Sequence, residues 1–119
     1  MYSPKVADHI SNPRNIGELE HPSGIGDVTN EVCLDRIRLT VQIADGRVAA
    51  AKVKAEGCPP TIAAASVLTE LIIGRAVADL PSMSRKDVID ALGRLPAAKM
   101  HCASLAIEAL HAAVEDATA

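Results

Sequence analysis

Apolar and polar residues alternate most cleanly over Arg36 to Ile43, where Ile37, Leu39, Val41 and Ile43 share one face and Arg36, Arg38, Thr40 and Gln42 the other. A period of two marks a strand with one buried and one wet face. Asp45-Gly46 supplies residues that tolerate positive φ, and from Arg47 to Ala55 the pattern returns, with Val53, Ala51 and Ala49 alternating against Lys52 and Lys54. This predicts an antiparallel hairpin. After Gly57-Cys58-Pro59-Pro60 the period changes: Thr61 to Ile73 is apolar on nearly every side, as in a helix buried in the middle of the fold, and Gly74 closes it.

The flanks are read from caps and breakers. Ser3-Pro4 pairs a hydroxyl N-cap with proline at the first helical position, and Asn12-Pro13 stops the helix, predicted over about Pro4 to Ser11. From Asn15 to Gly26 there is no period, which reads as a loop, and a further strand is expected near Asp27 to Val32. Ser84 with Asp87 makes a capping-box-like start for a short helix to about Leu92, ended by Gly93. Pro96 breaks the chain again. A last helix, from about Met100 to Asp116, places Leu105, Ala106, Ala109, Leu110, Ala113 and Val114 on a core stripe, while Glu108, His111 and Glu115 face water. Strands come first and most helices afterwards. The expected fold is α+β, a small antiparallel three-stranded sheet with helices packed on one face, in a single domain over residues 1–119.

Composition narrows the function classes. Hydrophobic residues make up 49% of the 119 and aromatic ones 1%, Tyr2 alone, so the core is built from Ala, Val, Leu and Ile and a base-stacking site is not expected. Acidic residues outnumber Lys plus Arg by 15 to 12 and the basic ones are scattered, which gives no electrostatic footprint for nucleic acid. No basic start leads into an apolar core of signal-peptide length, and no apolar run approaches the roughly 18 residues that span a bilayer. A cytoplasmic protein without a membrane partner is the expectation. Three cysteines, an odd number far apart in sequence, fit reduced thiols better than a disulfide framework.

All three cysteines fall at the ends of predicted elements: Cys33 before the hairpin, Cys58 before the buried helix and Cys102 in the first turn of the last helix. Unpaired N–H groups and the helix dipole favour thiolate, the metal-binding form, so the pKa values of Cys58 and Cys102 are expected to fall. Asp35 and His101 stand beside these thiols as further candidate ligands. Three Cys plus Asp or His satisfies either a tetrahedral zinc or a two-iron cluster, although no close C-x-x-C pair is present. Neighbouring helical positions diverge by roughly 100°, which places His101 poorly to activate Cys102. His9, His21 and His111 show no partner and are expected to be solvated.

Tyr2-Ser3-Pro4-Lys5-Val6 with Asp8-His9, then Asn12-Pro13-Arg14-Asn15 and Gly17, resembles the opening of the NifU/IscU family of iron–sulfur cluster scaffolds. Three later segments agree in order. Cys33-x-Asp35 resembles the family's Cys-Gly-Asp, Gly57-Cys58 with the helix through Leu68-Thr69-Glu70 its second cysteine region, and Lys99-x-His101-Cys102-x-x-Leu105-Ala106 its third. The match spans essentially the whole chain and lacks the long insertion between the second and third cysteines of the zinc-dependent SufU branch. The resemblance implies a non-enzymatic scaffold, monomeric or weakly homo-oligomeric, for assembly and transfer of a transient [2Fe–2S] cluster. It implies a cysteine desulfurase, an iron donor and recipient apo-proteins as partners, with zinc held in the same site in the apo form. Cys33, Cys58 and Cys102 would be the thiolate ligands, Asp35 and His101 the interchangeable fourth position, and Lys99 a nearby positive charge. A zinc-bound sulfur acceptor, like the SufU proteins, is the alternative.

Two departures bear on this. Leu34 replaces the family's glycine, restricting φ and adding bulk beside the site, which argues against Asp35 and toward His101 as fourth ligand. Leu95-Pro96-Ala97-Ala98-Lys99 stands where relatives carry Leu-Pro-Pro-Val-Lys, the segment read by a dedicated Hsp70-type chaperone.

Overall fold

The computed structural model describes residues 2–32 and 34–119, so Cys33 lies outside the described residues. Helix α1 (Pro4–Ser11) is followed by strands β1 (Gly24–Thr29), β2 (Arg36–Ala44) and β3 (Arg47–Glu56). Helices α2 (Pro59–Ile72), α3 (Arg85–Leu92) and α4 (Met100–Thr118) come next, with 3-10 turns at Val77–Ser82 and Ala97–Lys99. The sheet is antiparallel in the order β1-β2-β3. The order of strand and helix patterns along the sequence predicts this α+β arrangement, and the structure has it.

The hairpin forms where the alternation predicts, with one irregularity. Gln42 pairs with Ala50 but Ile43 pairs with Val48, so β3 carries one extra residue, Ala49. Such a bulge shifts the side-chain alternation by one. Val48 is therefore buried, Ala49 is exposed and Ile43 is only half-buried, whereas the sequence pattern put Ile43 and Ala49 on the core face. Nor is the outer face wholly wet. Thr40 is buried there, its hydroxyl donating to the Lys52 carbonyl (3.2 Å) and accepting from the Leu19 N–H (3.1 Å).

The expected third strand is displaced toward the N-terminus: Gly24 to Thr29 pairs with β2, not Asp27 to Val32. The loop reading of Asn15 to Gly26 is corrected accordingly. Asn15 and Gly17 also bond to Val53 on the open edge of β3, through Val53 N–H to Asn15 C=O (2.8 Å) and Gly17 N–H to Val53 C=O (3.0 Å). Glycine-rich text conceals the strand because the glycines serve packing rather than turning: a Cβ on Gly26 would lie 2.0 Å from the Ala109 carbonyl oxygen of α4.

Ile37, Leu39, Val41, Val48, Ala51 and Val53 form the inner face of the sheet, covered by α2 and α4. Nearly all of α2 is buried, including Ala63, Ala64, Ala65, Leu68 and Ile72, as its all-round apolar pattern predicts. The stripe of α4 is buried while Glu108, His111 and Glu115 are exposed. Both predicted caps are present: Ser3 caps α1, accepting from the Val6 N–H (3.1 Å), and the Ser84–Asp87 capping box opens α3. The Ser3 hydroxyl also donates to the Leu92 carbonyl, tying the start of α1 to the end of α3. No helix among the described residues is long and apolar enough to cross a membrane.

His9 departs from its expected solvation, although His21 and His111 are exposed. It is buried between α1 and α2, with Nδ1 2.7 Å from the Ser66 hydroxyl and Nε2 3.4 Å from Glu70. Burial, and then the Arg14 charge, lower its pKa from the usual 6.5 against the opposing pull of Glu70 and Asp8. A buried, neutral imidazole makes folding sensitive to acid. The unfolded chain binds the proton more readily, so stability is complete above about pH 6.5 and falls as pH drops through the folded-state value. Urea midpoints measured between pH 7.5 and 5 are expected to fall for the native protein and to stay flatter for His9→Gln. Equal slopes would place the acid-sensitive group elsewhere.

Candidate metal centre

Cys58 is the N-cap residue of α2, with extended backbone (φ −72°, ψ 159°), and Pro59 and Pro60 occupy the first helical positions. Proline is tolerated there because those N–H groups have no intrahelical partner, and a residue before proline prefers extended backbone. Cys102 sits in the first turn of α4, fully buried. Two helix N-termini thus bring their cysteines together, and the sulfurs of Cys58 and Cys102 lie 3.8 Å apart.

Asp35 approaches from the turn before β2. The turn is closed by hydrogen bonds from Leu34 N–H to Asn30 C=O (2.6 Å) and from Asn30 N–H to Asp35 C=O (2.7 Å). Leu34 takes φ 60°, the left-handed conformation that glycine adopts freely, at a cost of about 1 kcal/mol, and its side chain is exposed. The bulk expected to keep Asp35 away therefore points into solvent. Asp35 is buried, with Oδ1 accepting from the Cys58 N–H at 3.3 Å. Gly57 leaves room for it: at φ 137° it lies where a Cβ would come within 2.0 Å of Oδ1.

Among the described residues, Asp35, Cys58 and Cys102 form the one group whose potential ligand atoms lie within 4.8 Å of one another, a spacing that a single metal ion can bridge. His101 joins its margin. Its Nε2 is 3.3 Å from Asp35 Oδ2 and 3.7 Å from Cys102 Sγ. Adjacent helical positions are expected to place His101 poorly to reach Cys102, and the structure nevertheless brings its Nε2 to 3.7 Å from that sulfur. Four of the five candidate ligands therefore meet; the fifth, Cys33, is outside the described residues. Lys99 is half-buried in the 3-10 turn that leads into α4.

The two thiols differ in acidity. Burial pushes Cys58 up, but hydrogen bonds from the Thr61 side chain and backbone and from Cys102 outweigh it, so its pKa is lowered. Cys102 is pushed up to about 11 by burial and by the neighbouring Cys58, despite a hydrogen bond from Thr61. The expected fall occurs for Cys58, through those hydrogen bonds, and fails for Cys102, where desolvation of a fully buried sulfur is the larger effect. Sequence reasoning passed over Thr61 itself. Its hydroxyl lies 3.3 Å from each sulfur. The available signal was a hydroxyl residue three positions after a helix-capping cysteine, on the same side of the first turn.

Comparison with known proteins shows the family and the fold. The profile of the family described as "NifU-like N terminal domain" matches residues 1–119. The iron–sulfur cluster assembly scaffold protein IscU 1 of Archaeoglobus fulgidus is 41% identical over 116 residues, covering 98% of this chain and 76% of its own. The corresponding IscU of Aquifex aeolicus is 37% identical, with 97% and 74% covered. The N-terminal NifU-like protein of Brucella abortus superposes with a TM-score of 0.77 at 16% identity, covering 98% of this chain and 93% of its own, and thus shares the fold. A SUF-system relative from Fervidobacterium islandicum AW-1 shares it too, at TM-score 0.80 and 18% identity over 95% and 96% of the two chains. The chain belongs to the NifU-like N-terminal domain family.

Proposed function

We propose that this protein is a scaffold on which a [2Fe–2S] cluster is assembled and from which it is passed on. The observation that carries the reading is the meeting of two cysteine sulfurs and a buried carboxylate at the starts of α2 and α4, in a chain whose relatives are named cluster assembly scaffolds. In this reading Cys58, Cys102 and Cys33 are the thiolate ligands and Asp35 takes the fourth position. His101 hydrogen-bonds Asp35 and can replace it.

Carboxylate oxygen matches iron–sulfur chemistry less well than thiolate, so an Asp35-ligated cluster leaves more easily, as a carrier requires. The lowered pKa makes Cys58 the more readily ionised thiol of the described pair, and the first to take metal. Cys102, protonated at neutral pH, gives up its proton as metal binds, which makes loading favoured by rising pH. Sulfur comes from a cysteine desulfurase as persulfide, and each sulfane sulfur takes up two electrons from an external donor to become sulfide. An iron donor and recipient apo-proteins complete the cycle, in the cytoplasm, where thiols stay reduced. Ala97 and Ala98 are exposed in the segment Leu95 to Lys99, which leaves it open to an Hsp70-type chaperone. The protein acts stoichiometrically rather than as an enzyme.

The test is anaerobic reconstitution with ferrous iron, cysteine, a reductant and a cysteine desulfurase. The expected product shows [2Fe–2S] absorption and Mössbauer spectra and moves to an apo-ferredoxin. Zinc bound stoichiometrically, with faster desulfurase turnover and no cluster, would instead establish a sulfur acceptor, since zinc accepts the same donors.

A further inference from the structure

One polar side chain in the centre is not among the candidate ligands. Thr61 is fully buried in the first turn of α2, next to the all-apolar run Ala63-Ala64-Ala65. Its hydroxyl oxygen lies 3.3 Å from Cys58 Sγ and 3.3 Å from Cys102 Sγ, and its backbone N–H is shared between that Cys58 sulfur and the Cys58 carbonyl (2.9 Å). A buried hydroxyl is costly unless its hydrogen bonds are made, and valine would fill the same volume without that cost. The two sulfurs are what the hydroxyl is there to meet.

We propose that Thr61 is a positioning residue of the metal centre: its hydroxyl touches the adjacent Cys58 and Cys102 sulfurs together, holds them side by side and donates to one of them once metal is bound. The proposal rests on the cluster-scaffold reading of the site. Pro59 and Pro60 fix the turn between Cys58 and Thr61, so the hydroxyl is presented to both sulfurs by a rigid backbone. A hydroxyl has one proton, so it serves one thiolate at a time and makes the two ligands unequal. The thiolate that accepts it gives up electron density, which raises the energy of its charge-transfer band, while the gain in metal affinity comes from holding both sulfurs in place. The other thiolate keeps its full donor strength. Partners that orient metal ligands in this way contribute about 10–100-fold to metal affinity.

Anaerobic titration with Co(II), whose thiolate-to-metal charge-transfer band reads the sulfurs directly, tests this. Thr61→Val keeps the shape and removes the hydroxyl. The band should move to lower energy and Co(II) should bind about 10-fold more weakly, with Thr61→Ser restoring both. Should Thr61→Val fail to fold, Thr61→Ala compared with Thr61→Ser gives the same contrast. A folded hydroxyl-free variant with the native band and affinity would overturn the proposal and leave Thr61 as helix filler. A native protein with no thiolate-to-cobalt band at all would overturn the metal-centre reading beneath it.

Discussion

Gly26→Ala is expected to destabilise the fold by about 3 kcal/mol, read as a melting midpoint lower by about 10 °C or more. The reason is the approach of β1 to α4. A Cβ at Gly26 would lie 2.0 Å from the Ala109 carbonyl oxygen and 2.8 Å from the Ala113 nitrogen, both backbone atoms that move only if the helix moves. Gly24 makes the same approach one turn further along, 2.2 Å from the Ala113 carbonyl oxygen. Alanines on the helix and glycines on the strand bring the two backbones together, and α4 carries Cys102 at its other end. Pushing the helix outward therefore disturbs the metal centre as well as the core. Gly46→Ala is the control: at φ 74° and with nothing within 4 Å, it meets backbone strain alone, about 1 kcal/mol. Equal losses in the two variants would show that the contact between β1 and α4 is not what limits stability.

Cys58→Ser is expected to weaken metal binding by about 100-fold or more, beyond the usual loss for a partner that only orients a ligand, with little change in the melting temperature of the apo protein. Cys58 is half-buried, serine is close to it in size, and the N-cap position accepts serine well. The thiolate it replaces is the one of the described pair whose pKa is lowered, so the loss falls on the group best prepared to bind. Isothermal titration with zinc under anaerobic conditions, beside thermal melts without metal, separates the two effects. Undiminished affinity in a folded Cys58→Ser protein would remove Cys58 from the ligand set.

Much of the framework was legible because local signals and tertiary packing agree. The alternation of Ile37, Leu39 and Val41, the all-round apolar α2, and the caps at Ser3 and Ser84 all appear where the pattern put them. β1 was misplaced because Gly24 and Gly26 look like loop residues until a helix backbone is seen against them. The burial of His9 is not legible locally, because its partners, Ser66 and Glu70, come from a helix far along the chain.

The candidate centre divides in the same way. That Cys58 and Cys102 begin helices follows from Pro59-Pro60 and from the stripe of α4. That their sulfurs meet across 44 residues of sequence depends on how α2 packs against α4, which no local signal encodes; the family resemblance supplied that expectation. Leu34 misled because its exposed side chain and left-handed backbone were not foreseeable from its identity. Thr61 is not legible from its own segment, because its significance lies in a sulfur on another helix.

X-ray absorption at the zinc edge of zinc-loaded protein tests the central claim most directly, since it counts sulfur neighbours without a functional assay. Convergence of Cys58, Cys102 and Asp35 predicts at least two sulfur scatterers at about 2.3 Å per zinc together with a shorter oxygen or nitrogen shell. A first shell of oxygen and nitrogen alone would contradict it.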